Sequence, residues 1–281
     1  SIIWIIPNEH KIFEPWVETL VLTENLADSS FYIHLAYYYL NNFIHLCGSG
    51  RLPISFCYYP LMGGGVTIDK VLKGEIERQQ NFCFILADSD KKWPEATAFG
   101  ETAQNMIDLM DKYTPFNCRL YVMIYVREIE YLIPQKLVEA YGDATGFLDI
   151  FNLDPSFFDM KVGLRLGELY DDSVCLYWKN MLHDDALFLV RDEILHHNQN
   201  KKKYDSAIKG KEPLKKGFGN GLLSWVIEDI DYSTEIRKFK PKMKNQLYQI
   251  KPENLTPAQQ KEWKKIGQLM FSWTCCIKQR C

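Results

Sequence analysis

Residues 81–90 read NFCFILADSD and contain a strongly apolar run. Residues 82–87 are all apolar, and two aspartates, Asp88 and Asp90, follow them. A short apolar run bounded by turn-forming residues is typical of a strand that is buried on both faces, as strands of parallel sheets are. We therefore predict that residues 81–87 form a buried strand and that both aspartates lie at its carboxyl end.

Strand and helix patterns alternate along the chain on both sides of this run. The connections are short enough for right-handed βαβ crossovers, so we predict an α/β fold, a mainly parallel sheet flanked by helices on both faces. The predicted strands are 19–23, 54–59, 81–87 and 119–126. The predicted helices are 31–46 with Ser29 and Ser30 as caps, 68–78, 98–113, and a segment that directly follows the fourth strand and ends at Tyr141.

The later residues lack this strand rhythm and are predicted to be mostly helical. We expect three regions: an N-terminal connection or edge strand (1–18), an α/β domain (19–144), and a mostly helical, basic C-terminal region (145–281). The predicted C-terminal elements are helices at 173–182, 186–197, 222–230 and 257–278, the last capped by Thr256, and an exposed loop at 201–221.

Composition indicates a globular protein of ordinary hydrophobicity. Hydrophobic residues make up 47% and charged residues 25% of the 281 residues, and no apolar run approaches the ~20 residues that a membrane span requires. Eight cysteines are present without a CxxC pair, and Cys57, Cys83 and Cys118 lie in apolar runs. We therefore predict reduced core thiols, a cytoplasmic location and no membrane partner.

Acidic residues follow three of the predicted strands. Because the carboxyl ends of parallel strands meet at one edge of a sheet, these residues are expected to gather there. Each group alone has an ordinary explanation as a turn or as favourable charge at a helix start. Together they predict a site for Mg²⁺ or Mn²⁺, since hard cations prefer carboxylate oxygens and clustered carboxylates otherwise repel one another. The six residues are Glu24, Asp28, Asp88, Asp90, Glu128 and Glu130.

This pattern resembles the TOPRIM domain, the topoisomerase–primase fold shared with OLD-type nucleases. The family has a glutamate after its first strand, usually in an E-G-x-x-D context, and a D-x-D motif after a later strand. Glu24 with Asp28 is similar to the first motif, although Asn25 stands where the family usually has glycine. Asp88 with Asp90 is similar to the second, and in OLD-like members an acidic motif like Arg127 to Glu130 follows the next strand. The resemblance covers residues 19–141.

The resemblance implies a metal-dependent nuclease that cleaves RNA or DNA. Asp88 and Asp90 would hold a metal, Glu24 would be a second ligand or a general acid/base, and Glu128 or Glu130 would complete a second metal position. It further implies an effector of a bacterial anti-phage, retron-type system. A reverse transcriptase domain with its RNA and DNA, and a homo-oligomer, are candidate partners.

Basic residues are needed to neutralise phosphate charge, and the sequence does not choose among several candidates. Residues 1–150 carry a net charge of −8 and residues 151–281 a net charge of +5, with the basic excess densest at 201–251. A solvated loop explains that region equally well. The candidates for nucleic-acid binding are Lys91, Lys92, Lys161, Lys215 and Lys216.

Two other functions are compatible with the same residues. Nucleotide-sugar glycosyltransferases also use a D-x-D motif after an apolar strand, and Glu24 would then have no metal to bind. Alternatively, the domain is a non-catalytic module for assembly or nucleic-acid binding.

Overall fold

The computed structural model describes residues 18–44, 54–141, 156–185, 213–228 and 250–277, together with Leu189 and Asp192. Its elements are β1 (Thr19–Thr23), α1 (Leu26–Phe43), β2 (Ile54–Phe56), β3 (Tyr58–Met62), α2 (Ile68–Arg78), β4 (Cys83–Ala87), α3 (Glu101–Tyr113), β5 (Cys118–Val122), α4 (Gln135–Tyr141), β6 (Gly163–Arg165), α5 (Asp172–Leu182), β7 (Pro213–Lys216), α6 (Leu222–Glu228), α7 (Pro257–Thr274) and β8 (Cys275–Ile277).

The main sheet has four parallel strands in the order β3-β1-β4-β5. All five residues of β4 are buried, as its uninterrupted apolar sequence predicts. Helices flank this sheet and further helices follow it in the C-terminal part of the chain, which confirms the predicted α/β class at this level.

Successive strand residues face opposite sides of the sheet and so belong to two separate cores. Val21 and Phe84 join the larger core, which includes residues of α1 and α7. Leu22 and Ile85 join the smaller core, which includes residues of α2 and α3. Helices therefore cover both faces of the sheet, as predicted.

Helix α7 packs against α1 and against the sheet. The rings of Trp263 and Phe31 meet edge to face at 6.1 Å, and Trp273 stacks on Phe84 at 5.8 Å. The hydroxyl of Thr19 donates to the carbonyl of Trp273 at 2.6 Å. A helix from the end of the chain thus completes the core around β1 and β4. Thr256 caps this helix, as predicted.

Helix α1 begins at Leu26, so the predicted start at residue 31 with Ser29 and Ser30 as caps is wrong. Asn25 is the N-cap, and its backbone N–H donates to Oδ2 of Asp28 at 2.9 Å. A carboxylate at the third helical position satisfies this free donor, so the helix starts before the serines. Ser29 lies inside the helix with its hydroxyl 2.8 Å from that of Thr23.

The single strand predicted at 54–59 is two strands in two different sheets. β2 pairs with β8 in antiparallel fashion, whereas β3 joins the main sheet and continues through Pro60. The chain changes partner at Cys57, whose N–H donates to the carbonyl of Thr274 at 2.7 Å. Pro60 is tolerated because β3 is an edge strand.

Cys57 is disulfide-bonded, so the predicted reduced thiol at this position is wrong. Cys83 and Cys118 are buried free thiols, as predicted, and they are register partners on adjacent strands.

The fourth strand ends at Val122 rather than at residue 126, and no helix follows it directly. Residues 123–128 form a loop, after which a 3₁₀ turn (Ile129–Leu132) precedes α4. The loop is held by Glu262 of α7, which accepts the N–H groups of Ile124 and Tyr125.

The C-terminal region contains a strand pair that the sequence did not predict. β6 and β7 pair in antiparallel fashion, so Lys215 and Lys216 lie in a strand and the predicted loop at 201–221 is wrong there. Residues 201–212, nearly all of the predicted helix at 186–197, and most of the basic region at 201–251 lie outside the described residues. Among the described helices, none has the length and hydrophobicity to cross a membrane.

Candidate metal centre

Three neighbouring strands place acidic residues at one edge of the sheet. Glu24 follows β1, Asp88 follows β4, and the loop after β5 leads to Glu128. β4 lies between β1 and β5, so these three chain segments come together at the carboxyl edge. This is the arrangement that the parallel topology predicts.

The centre of this edge is a triad of buried carboxylates. Asp88, Glu128 and Glu130 are 8%, 3% and 4% exposed, and each offers an oxygen within 4.8 Å of the others. Backbone amides fix two of these groups. Ile129 N–H donates to Oδ1 of Asp88 at 2.9 Å, and Met160 N–H donates to Oε1 of Glu128. The second oxygen of Asp88 and that of Glu128 are therefore held in place.

Lys161 forms ion pairs with all three carboxylates of the triad. Its ammonium nitrogen lies 3.1 Å from Oε2 of Glu130, 3.7 Å from Oδ2 of Asp88 and 3.9 Å from Oε2 of Glu128. Among the five lysines that the sequence proposes, this is the one whose ion pairs reach the triad in the described part of the chain. Three carboxylates and one ammonium leave an excess of negative charge when all are ionised.

Burial dominates the protonation of the triad. It raises the pKa of Asp88, Glu128 and Glu130 above the ordinary carboxyl range, and Lys161 opposes that rise. Burial alone would lower the pKa of Lys161, but the carboxylates around it raise that pKa above its usual value. The ionised cluster is therefore stabilised either by protonation of its carboxyls or by binding of a further cation.

Glu24 and Asp28 flank the triad. Burial raises the pKa of Glu24, and Lys161, Asp90 and Glu130 are the charges that act on it. Asp28 is buried, and the same effect raises its pKa to about 7 although the N–H of Asn25 opposes the shift. Asp28 therefore accepts the backbone N–H of the N-cap residue of α1 and, when ionised, adds negative charge beside the centre.

Asp90 lies at the mouth of the centre. It is exposed and has a positive φ of 50°, and its N–H donates to the carbonyl of Arg127 at 3.0 Å. A side chain at Gly100 would approach Oδ2 of Asp90 to 2.6 Å, so the glycine leaves room for this carboxylate. The residues around the carboxyl partly desolvate it and raise its pKa although the residue as a whole is exposed, and the cations Arg127 and Lys161 oppose the shift.

Arg127 is an organising residue that sequence analysis did not single out for a role. Its two terminal nitrogens lie 3.1 Å from Oδ2 of Asp159 and 3.1 Å from Oε1 of Glu168. Oδ1 of Asp159 in turn accepts the N–H groups of Lys161 and Val162. A planar guanidinium can bridge two carboxylates in this way, and here it fixes the turn that carries Lys161. Its position next to Glu128 in the acidic motif was the sequence feature that could have indicated this role.

The other predicted basic residues lie away from the triad or at its rim. Lys91 follows Asp90, and its ammonium lies 4.6 Å from the ring centre of Phe99. Lys92 is exposed. Lys215 and Lys216 are exposed in β7, where they pair with Leu164 and Gly163, near the turn that holds Lys161.

The donor set fits a hard divalent cation. All of its groups are carboxylates, and together with Glu24 they outnumber the single lysine that contacts them. Mg²⁺ and Mn²⁺ prefer oxygen ligands and keep several waters, so a few carboxylates are enough to bind either ion. Solvent at the Asp90 side of the cluster would supply the waters.

Protein-family models, curated proteins and solved structures all lack a match to this chain.

Proposed function

We propose that the protein is a divalent-metal-dependent phosphodiester hydrolase, a nuclease with a TOPRIM-like domain. The observation that carries this proposal is the buried triad of Asp88, Glu128 and Glu130 at the carboxyl edge of a parallel sheet, with Lys161 against it. Such a concentration of ionisable groups with raised pKa values is typical of functional sites and costs stability unless a cation compensates it.

The geometry supports distinct roles for these residues. Asp88 and the glutamates of the triad would hold Mg²⁺ or Mn²⁺, with Asp90 and Glu24 as ligands at the open side. The bound metal would polarise a phosphate oxygen and lower the pKa of an attacking water. Glu24, whose pKa is raised, would exchange a proton with that water or with the leaving oxygen.

Lys161 would act on the phosphate rather than on the metal. Its ammonium remains charged at neutral pH because the adjacent carboxylates raise its pKa. A fixed cation at this position would stabilise the negative charge that builds on the phosphoryl oxygens in the transition state. Arg127 does not contact the triad through its guanidinium and is a positioning residue.

The biological setting rests on the TOPRIM resemblance. A substrate of RNA or DNA, a role as effector in a retron-type anti-phage system, a reverse transcriptase domain as partner and homo-oligomerisation all belong to this part of the proposal.

Cleavage of labelled RNA and DNA, single- and double-stranded, in Mg²⁺ or Mn²⁺ tests the proposed function. The parent is compared with Asp88→Ala, Glu24→Ala and Lys161→Met, and with Glu77→Ala as a matched control because Glu77 is an exposed acidic residue of α2. We expect cleavage by the parent and the control, none by the first two variants, and none in EDTA.

The same variants, assayed also with nucleotide sugars, separate the competing functions. If Glu24→Ala retains metal-dependent activity and a nucleotide sugar is hydrolysed or transferred, the glycosyltransferase alternative replaces the nuclease. If the parent binds nucleic acid without cutting it under either metal, a binding module replaces it.

A further inference from the structure

A groove of about 590 Å³ opens between the loop at 89–100 and helix α5. Its volume is within the range of small-molecule sites, ~300–1,000 Å³. One wall is formed by Trp93 and Glu95 of the loop. The other is α5 and the residue that ends it, and the lining residues that matter here are Leu176, Tyr177, Asn180, Met181 and His183.

One wall belongs to the segment that carries Asp90, and the other packs against the turn that carries Lys161. The loop at 89–100 leaves the centre at Asp90 and returns to it, since the N–H of Gly100 donates to the carbonyl of Ser89 at 2.9 Å. On the other side, the ring of Tyr177 lies 6.5 Å from that of Phe157, which precedes Lys161 on the same turn. The groove is therefore built onto the flank of the centre.

The lining suits a flat, uncharged group with polar edges. Trp93 and Tyr177 are aromatic lining residues, and Leu176 is a large apolar residue of α5 that is 53% exposed. Asn180 and His183 supply hydrogen-bonding groups, and the carboxylate of Glu95 can accept from the N–H groups of a base but repels a phosphate. In the adjoining part of the groove Lys179 and Asp185 neutralise each other at 2.8 Å, so that part offers little net charge to a phosphate. A nucleobase has the required properties.

Two lysines connect the groove to the centre along the chain. Lys91 and Lys92 lie between Asp90 and Trp93, and Lys92 is exposed. A nucleic-acid backbone that passes from the acidic centre to the groove would meet their positive charge. A base in a duplex is stacked and paired, so only an unpaired base can turn into a lateral groove.

We propose that this groove binds an unpaired base of the strand whose phosphate is held at the acidic centre, so that the substrate is single-stranded nucleic acid. The inference rests on the proposed function and adds its substrate class. Loss of Trp93 should weaken binding of a single strand about tenfold, since one stacked base accounts for an effect of this order.

Fluorescence anisotropy with short labelled oligouridylate, oligothymidylate and a DNA duplex of equal length tests the inference. The full chain carries Asp88→Asn to prevent cleavage, and Mg²⁺ is present. We expect Trp93→Ala to weaken binding of both single strands about tenfold and Trp93→Phe to retain most of the affinity. Leu176→Glu, which places a negative charge at an exposed position of the groove, should weaken binding similarly. Phe116→Ala is the matched control because Phe116 is an aromatic residue 77% exposed outside the groove.

The results separate the groove from the nuclease itself. Single-strand affinity equal to the parent's in folded Leu176→Glu and Trp93→Ala overturns the inference, as does duplex binding at least as tight as single-strand binding. If Trp93→Ala does not fold, Leu176→Glu alone decides. Where the parent cuts nucleic acid but the groove variants bind normally, and cut normally when Asp88 is intact, the groove inference fails and the proposed function stands. Where the parent neither binds nor cuts any of these probes, both fail.

Discussion

The ammonium nitrogen of Lys161 lies 3.1 Å from Oε2 of Glu130, inside a cluster that also contains Asp88 and Glu128. The lysine therefore provides the counter-charge for carboxylates that burial makes difficult to ionise. A divalent cation that enters the cluster would neutralise the same oxygens and would lie close to this ammonium. The balance between the two cations leads to a first prediction.

Lys161→Met should destabilise the metal-free protein and strengthen its response to metal. Removing one partner of a buried ion pair costs about 3–5 kcal/mol, and protonation of the carboxyls should limit the loss to about 2 kcal/mol. Urea unfolding in EDTA and in excess Mg²⁺ measures both effects. Lys179→Met is the control, because Lys179 pairs with the exposed Asp185 and such pairs contribute little. Equal stability of parent and Lys161→Met in EDTA would contradict the role of Lys161.

The metal-free protein should lose stability as the pH rises from about 4 to about 8. A carboxyl whose pKa is higher in the folded than in the unfolded state contributes stability that is complete below the unfolded pKa and is lost as pH rises through the folded pKa. For Asp28 these values are 3.8 and about 7. Burial raises the pKa of Glu24 and of the triad in the same direction.

Thermal melts across this pH range, in EDTA and in Mg²⁺, check the pH prediction. Asp28→Asn should flatten the EDTA profile, since its amide does not titrate, and Mg²⁺ should restore most of the stability near pH 8. A melting temperature that rises toward pH 8 in EDTA would show that protonation does not stabilise this cluster.

Gly100→Ala should impair metal binding without unfolding the protein. The new methyl group would overlap the Cβ and the Oδ2 of Asp90 and displace that side chain, while the φ of −60° at Gly100 is open to any residue. Displacing one ligand of the open side should weaken Mg²⁺ affinity about tenfold. Calorimetric titration with Mg²⁺ and a thermal melt separate the two effects.

Gly74→Ala is the matched control for this change. Gly74 lies in α2, and an added methyl group there would meet nothing within 4 Å. The helix should gain up to about 1 kcal/mol with unchanged Mg²⁺ affinity. Equal affinities for Gly100→Ala and Gly74→Ala would remove Asp90 from the ligand set.

Glu262→Ala should destabilise the protein by about 2–3 kcal/mol, because it leaves three part-buried donors without an acceptor. Glu262 is fully buried and accepts the N–H groups of Ile124 and Tyr125 and the hydroxyl of Tyr121. Glu262→Gln should be nearly neutral, since its oxygen can accept both N–H groups and its amide can donate to the Tyr121 hydroxyl. Chemical denaturation of both variants measures the difference.

The exposed Glu253 provides the control for Glu262. Glu253→Ala removes a weak, exposed ion pair with Lys251 and should leave stability within about 0.5 kcal/mol of the parent. If Glu262→Ala behaves like Glu253→Ala, the loop at 123–128 is held by other contacts.

Sequence patterns predicted the sheet and its acidic edge because both depend on local features. The run at 82–87 is apolar enough to be buried on both faces, and parallel topology brings Glu24 and Asp88 together without further information. Local pattern also placed the Thr256 cap. It failed at Asn25, where a side chain three residues away, Asp28, decided the start of α1.

The remainder depended on contacts between residues distant in the chain. Lys161 reaches Glu130 only because Arg127, through Asp159, fixes an irregular turn, and such a turn leaves no periodic signal in the sequence. β5 stops at Val122 because Glu262, 138 residues after Ile124, takes over the next backbone donors. β6 and β7 are separated by 47 residues, beyond the reach of hairpin rules.

The position of α7 has a consequence for the synthesis of the chain on the ribosome. The hydroxyl of Thr19 in β1 donates to the carbonyl of Trp273. The loop that leads to Glu128 is held by a hydrogen bond from the N–H of Tyr125 to Glu262. Contacts of such long sequence separation form late. A nascent chain that has completed β1, β4 and β5 therefore still lacks a finished acidic centre until α7 has emerged from the exit tunnel. A ribosome carrying its own messenger RNA would thus be shielded from this proposed nuclease until α7 has been synthesised.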